Sequence, residues 1–177
     1  MKPNFRTIPK FSSWGSYEIH VPWGHLQHTI LDFIQEYGLD LDPDFQRAHV
    51  WDEDQREKYM EFCLRGGRTG RVILFNHTKW NTTAGLSDGE FVIVDGKQRL
   101  ETVLRFLRNE LKVFGHYYKD FEGKLRITED RFQFMVNDLP DKKSVLKWYL
   151  ELNDGGVVHT KAELEKVQKM LDKENKK

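Results

Sequence analysis

Hydrophobic positions along the chain fall into short blocks whose period changes from two to about 3.6. Tyr17–Trp23 alternates and predicts a short strand. Leu26, Ile30, Phe33, Ile34 and Tyr37 recur at helical spacing over residues 25–37, and Gly38 stops that helix. Residues 40–51, DLDPDFQRAHVW, are rich in turn formers and end extended. Asp52 is placed to cap a second helix, with Gln55 completing a capping box. That helix is expected to bury Tyr59, Met60, Cys63 and Leu64 and to end at Gly66-Gly67. Arg71–Phe75 and Phe91–Val94 are continuous apolar runs bounded by turn signals, which predicts neighbouring central strands. Residues 76–89 read as a polar loop. Residues 97–108 form the cleanest helical pattern, with Leu100, Val103, Leu104 and Leu107 on one face. Weaker strand signals lie near 111–118 and 125–136. A helix is expected at about 141–152, and Thr160 with Glu163 suggests a capping box for a last amphipathic helix ending in a frayed tail.

These blocks predict an α+β domain: a small mixed sheet with packed helices and a C-terminal helical pair over one side. The expected divisions are an N-terminal arm (1–16), a sheet-bearing domain (17–140) and a C-terminal helical extension (141–177). Composition agrees with a packed core. Hydrophobic residues are 38% and charged residues 32% of 177, but 12 Phe, 6 Tyr and 5 Trp supply enough ring area to fold around.

Lys and Arg balance Asp and Glu at 28 each. A general electrostatic grip on DNA or an anionic membrane is therefore not expected, although a local basic pocket is allowed. No apolar run approaches the roughly 18 residues of a membrane span, and no apolar signal core follows the N-terminus, so a cytoplasmic protein is expected. The single cysteine, Cys63, excludes an internal disulfide and any CxxC site. It is expected to be a buried, inert thiol. His25 and His28 share a helix face but have no third ligand nearby, so an exposed face is expected rather than a metal site.

Three segments carry candidate chemistry. In residues 92–107 an apolar strand runs into Asp95-Gly96 and a helix starts at once. Free N–H groups at a helix start make an anion site, and Lys97 and Arg99 add positive charge where the helix dipole disfavours it. A phosphate would account for both; an ordinary turn with solvated cations is the plain alternative. In Pro43-Asp44-Phe45-Gln46-Arg47, followed by Trp51, an amide and a guanidinium lie between aromatics. They suit an anion or amide reader, or an ordinary surface ion pair. Asn153-Asp154-Gly155-Gly156 alone reads as a helix C-cap and turn.

Together these segments resemble the DGQQR-motif domains of the GmrS type, which belong to the ParB/sulfiredoxin-like fold. The family pattern reads here as Pro43…Gln46-Arg47…Trp51, then Asp95-Gly96-Lys97-Gln98-Arg99-Leu100-Glu101-Thr102, then Asn153-Asp154-Gly155-Gly156, across about residues 17–172. Lys97 stands where the family usually has Gln, and Glu101 where it has Thr. The resemblance implies a stand-alone nucleotide-binding, NTP-hydrolysing domain linked to restriction or phage–host conflict. Gln46, Arg47, Gly96, Lys97, Gln98, Arg99 and Asn153 would bind the nucleoside triphosphate. Asp95, Gln46 and Arg99 would serve catalysis, and Asp95 would hold Mg²⁺. Two other expectations compete: a DNA-binding or nicking ParB-like nuclease, and a non-catalytic module that engages a nuclease or defence-system protein. The seven histidines are scattered and show no His–Asn–His nuclease arrangement.

Overall fold

The computed structural model describes Ile8 and residues 17–46, 51–80, 89–154 and 161–175. The chain runs β1 (Tyr17–Pro22), α1 (Trp23–Tyr37), β2 (Leu39–Asp40), α2 (Glu53–Leu64), β3 (Val72–His77), β4 (Phe91–Asp95), α3 (Lys97–Leu107), β5 (Arg131–Asn137), α4 (Lys142–Asp154) and α5 (Lys161–Glu174). The five strands form one mixed sheet in the order β1-β5-β3-β4-β2. β1–β5 and β3–β4 are antiparallel, while β5–β3 and β4–β2 are parallel. This is the expected α+β architecture, with β3 and β4 side by side. No helix among the described residues is long and apolar enough to cross a membrane.

Two apolar clusters sandwich β4. Phe91 and Ile93 point to the larger one, shared with Trp23, Phe33, Met60, Val103 and Phe134. Val92 and Val94 point to the other, made with Val145, Leu146 and Tyr149 of α4 and Val167 and Leu171 of α5. A strand buried on both faces needs an unbroken apolar run, which is why FVIV does not alternate. β5 buries one face along most of its length. Phe132, Phe134 and Val136 are buried, and Arg131, Gln133 and Met135 between them are half-buried.

Several local expectations change. β3 continues through Asn76 and His77, both fully buried, so the polar loop starts later than the sequence suggests. Asn76 is tolerated because its amide donates to the Leu139 carbonyl (3.1 Å) and accepts from the Leu139 N–H (2.9 Å). Residues 111–118 form no strand. A tight turn with positive φ at Phe114 and Gly115 leaves one bridge, Val113 to His116, and a 3-10 turn follows at Tyr118–Asp120. The later strand is confined to Arg131–Asn137. Leu39–Asp40, inside the turn-rich stretch, pairs as β2 with Phe91 and Val92. α4 continues through Asn153-Asp154, and α5 extends into the tail as far as Glu174. The arm apart from Ile8, Arg47, Gly155-Gly156 and the Thr160–Glu163 box lie outside what the structure describes.

Candidate functional site: a glycine turn at the end of an interior strand

β4 ends at Asp95, and Gly96 turns the chain into α3 at φ +96. An added Cβ at Gly96 would stand 2.6 Å from Ile73 Cδ1 and 3.3 Å from Ile73 Cα. Both the left-handed backbone and the close approach of β3 therefore require glycine. Gly96 has no side chain to cap α3, and the first turn holds no acid. The N-terminal N–H groups are left with the positive end of the helix dipole and the cations Lys97 and Arg99.

Those cations are differently held. Arg99 Nη2 donates to Asp95 Oδ2 at 2.6 Å and to the Val72 carbonyl at 3.0 Å. Its Nε is buried without an acceptor. One nitrogen thus anchors the guanidinium to both strands beneath the turn. Lys97 is only 11% exposed, and its ammonium pairs with Asp42 on the loop after β2. Asp42 carried no motif signal, and only the fold brings it there. Asp95 keeps its side chain 47% exposed.

The Pro43–Gln46 segment reaches the same strand. Gln46 Nε2 donates to the carbonyls of Ile93 (3.1 Å) and Val94 (2.7 Å). β2 covers only the first two residues of β4, and the Gln46 amide takes over where that pairing ends. Phe45 meets Tyr149 of α4 edge to face at 5.3 Å, and Asp44 accepts from Lys142 at 2.7 Å. Tyr149 stands one helical turn before Asn153, whose side chain is not described. The first motif is therefore wedged between the second and the helix that ends in the third. Arg47 itself is not described.

A buried chain of polar groups backs the turn. Gln98 is buried, and its Oε1 accepts a long bond from the Trp51 N–H (3.4 Å). Thr102 Oγ1 donates to the Gln98 carbonyl at 2.7 Å and accepts from Arg56 Nη1 at 3.1 Å. Sequence reading missed Arg56, yet a signal existed: positions 56, 60 and 63 recur at helical spacing on the face α2 buries. Glu101, the other departure from the family pattern, is half-buried; the Glu53 hydrogen bond is what chiefly raises the Arg105 pKa, and the Glu101 charge adds to it. Behind this, burial pushes the Cys63 thiol up, and the Tyr59 phenol likewise, as expected of an inert cysteine. His25 and His28 are exposed, and the described residues contain no group of three potential metal ligands.

A single mixed sheet in which an interior strand, β4, ends in a glycine turn at an uncapped, cation-bearing helix defines the class. The sequence model of the GmrSD restriction endonuclease N-terminal domain matches residues 29–134, more than half of the chain, and the chain belongs to that family. Among solved structures it is similar to the C-terminally truncated chromosome-partitioning protein ParB from Caulobacter crescentus complexed with CTP-gamma-S. That similarity has 18% identity and a TM-score of 0.40, over 80% of this chain and 56% of that one. The chain thus spans little more than half the length of that structure. Curated proteins give no significant match.

Proposed function

We propose that the chain binds a nucleoside triphosphate on the N–H groups of residues 97–99 and hydrolyses it, as the phosphate-handling domain of a restriction-type system in the cytoplasm. The observation that carries this reading is the Gly96 turn. It delivers an uncapped helix N-terminus with two cations in its first turn, each held by a carboxylate from outside the helix, and free N–H groups with positive charge beside them favour an anion. In this proposal Arg99 grips phosphate through Nη1, the terminal nitrogen that Asp95 and Val72 do not engage. Lys97 adds charge from beside Asp42, and Gln98 holds the Trp51 segment in place. Gln46 fixes the strand end through its main-chain bonds, while Arg47 and Asn153 complete the pocket from the two flanking motifs.

The donor set fits Mg²⁺ in its usual nucleotide-linked form. Asp95 is half-exposed and has one oxygen engaged by Arg99, leaving Oδ1 for a cation that takes its other ligands from phosphate and water. Bound there, the ion would neutralise phosphate charge. Calorimetry with ATP, GTP, CTP and UTP, each with Mg²⁺, tests the reading. One nucleotide is expected to bind below millimolar concentration. Arg99→Ala is expected to cost about 1.5–3 kcal/mol of that binding. Asp95→Ala should slow phosphate release more than it weakens binding. No nucleotide binding below millimolar concentration overturns the proposal.

A further inference from the structure

The sheet end that carries the glycine turn also carries a second concentration of positive charge. A cavity of about 440 Å³ lies between the loop after α2, the start of β5 and His20 of β1. Arg68, Arg71 and Arg131 line it. Arg71 is only 9% exposed and is clamped by main-chain oxygens. Its Nε donates to the Gly67 carbonyl (2.7 Å), its Nη2 to the Cys63 carbonyl (2.7 Å) and its Nη1 to the Glu129 carbonyl. The Trp23 ring lies 5.3 Å from its guanidinium carbon. Carbonyls satisfy those N–H groups, and among the described residues no carboxylate lies within ion-pair distance of Arg71.

The other two guanidinium groups are available. Among the described residues neither Arg68 nor Arg131 makes a side-chain hydrogen bond or ion pair. Arg131 stands at the start of β5 opposite Pro22, on the sheet face away from Phe132 and the larger core, and Arg68 is exposed on the loop. The one carboxylate in the lining, Glu129, is drawn to Arg126 at 2.7 Å. A buried, main-chain-clamped cation, two guanidinium groups without a partner among the described residues and a histidine therefore line a space large enough for more than a single ion. The volume falls within the range of small-ligand pockets, about 300–1,000 Å³. Fork-shaped donors match phosphate oxygens two at a time. The balanced charge of the whole chain does not oppose this, because the excess is local.

We infer that this cavity is a phosphoryl-anion site, separate from the N-terminus of α3, that takes the phosphate of a phosphorylated small molecule or of a nucleic-acid strand. It shares no lining residue with the Asp95–Arg99 turn, so it stands apart from the nucleotide reading and fails or survives independently of it.

The test is calorimetric titration of the full chain with inorganic phosphate, with a short oligothymidylate and with the nucleoside triphosphates, in a buffer free of competing anions. Replacing both free forks (Arg68→Gln with Arg131→Gln) is expected to weaken phosphate binding by about tenfold or more. Binding at α3 should stay within about threefold, and Arg99→Ala should show the reverse pattern. Arg68→Glu alone, at an exposed position, gives a second variant that leaves the half-buried Arg131 intact, and it too should weaken phosphate binding. If the oligonucleotide also loses affinity in these variants, with a salt-dependent constant, the phosphate belongs to a nucleic-acid strand. If the wild type binds phosphate and not the oligonucleotide, the ligand is a small phosphorylated molecule. Phosphate binding unchanged by all three substitutions overturns the inference.

Discussion

Helices α2 and α3 pack against each other, and their N-termini are finished in opposite ways. α2 is closed. The Asp52 carboxylate accepts from the Gln55 N–H (2.8 Å), the Gln55 side chain accepts from the Asp52 N–H (3.0 Å), and Glu53 and Asp54 answer the dipole. α3 is open, with glycine at the cap position and two cations in place of acids. Both starts follow general rules for helix ends, but only the first satisfies them with its own residues. The closed start needs nothing further at its end, whereas the open one is where the proposed nucleotide would bind. The backing is asymmetric too. Arg56 of the closed helix reaches through Thr102 to the first turn of the open one, so α2 stabilises what α3 leaves exposed.

The sharpest way to break the contrast is to give α3 a side chain at its turn. Gly96→Ala must hold alanine at φ +96 with a Cβ pressed on Ile73. The expected loss is about 2–4 kcal/mol in chemical denaturation, with nucleotide binding abolished. An alanine variant that folds and binds normally would remove the geometric basis of the site. Next is the brace. Arg56→Leu takes the donor from Thr102 at a buried position and should cost about 1–3 kcal/mol. Adding Thr102→Val should then cost less than the two changes summed, because the second partner is already orphaned. Simple additivity in that cycle would mean that the brace carries no coupling.

The closed start was legible from sequence because every part of it is local: Asp52 and Gln55 are three residues apart and satisfy each other. The central strands and the Gly96 turn were legible for the same reason. Asp95, Gly96 and Arg99 lie within one short run, although Arg99 also bonds Val72 across the sheet. What the chain assembles over long separations was not legible. Asp42 meets Lys97, Arg56 meets Thr102, and Asn76 meets Leu139 across intervals that no periodicity encodes. Asn76-His77 read as loop because polar residues in an interior strand are affordable only when such distant partners exist. The apparent strand at 111–118 has apolar positions at Leu111 and Val113, but Phe114 and Gly115 both take positive φ, which turns the chain before it can pair.

The closed start should respond to smaller changes, and only in stability. Asp52→Ala is expected to cost about 1 kcal/mol in denaturant unfolding and to leave nucleotide affinity unchanged. An affinity change would show that the two starts are not independent. Smaller still is Glu53, whose carboxyl the Arg105 hydrogen bond holds below the usual glutamate range. Its folded-state value is depressed, so its contribution is present above the unfolded value and fades as pH falls through the folded one. Glu53 is exposed and its attraction to the half-buried Arg105 is screened, so Glu53→Gln should cost at most about 0.5 kcal/mol at pH 7, with the difference vanishing in acid. A difference that persists in acid would assign the effect to packing instead of charge.

The smallest expected effect is at Lys97, where the open start differs from the usual family residue. Two terms oppose each other there. A cation in the first turn works against the helix dipole by about 0.3–1 kcal/mol, and its pairing with Asp42 returns a similar amount because Asp42 is 82% exposed and its attraction is screened. Lys97→Gln removes both, so stability should move by no more than about 0.5 kcal/mol. The ammonium already faces a carboxylate, so its net pull on phosphate is reduced, and triphosphate affinity should stay within about threefold by calorimetry. A loss of about tenfold or more would mean that Lys97 leaves Asp42 for the ligand. Asp42→Asn would then tighten binding by freeing the same ammonium, and the pair would act as a latch on the open helix start rather than as a neutral contact.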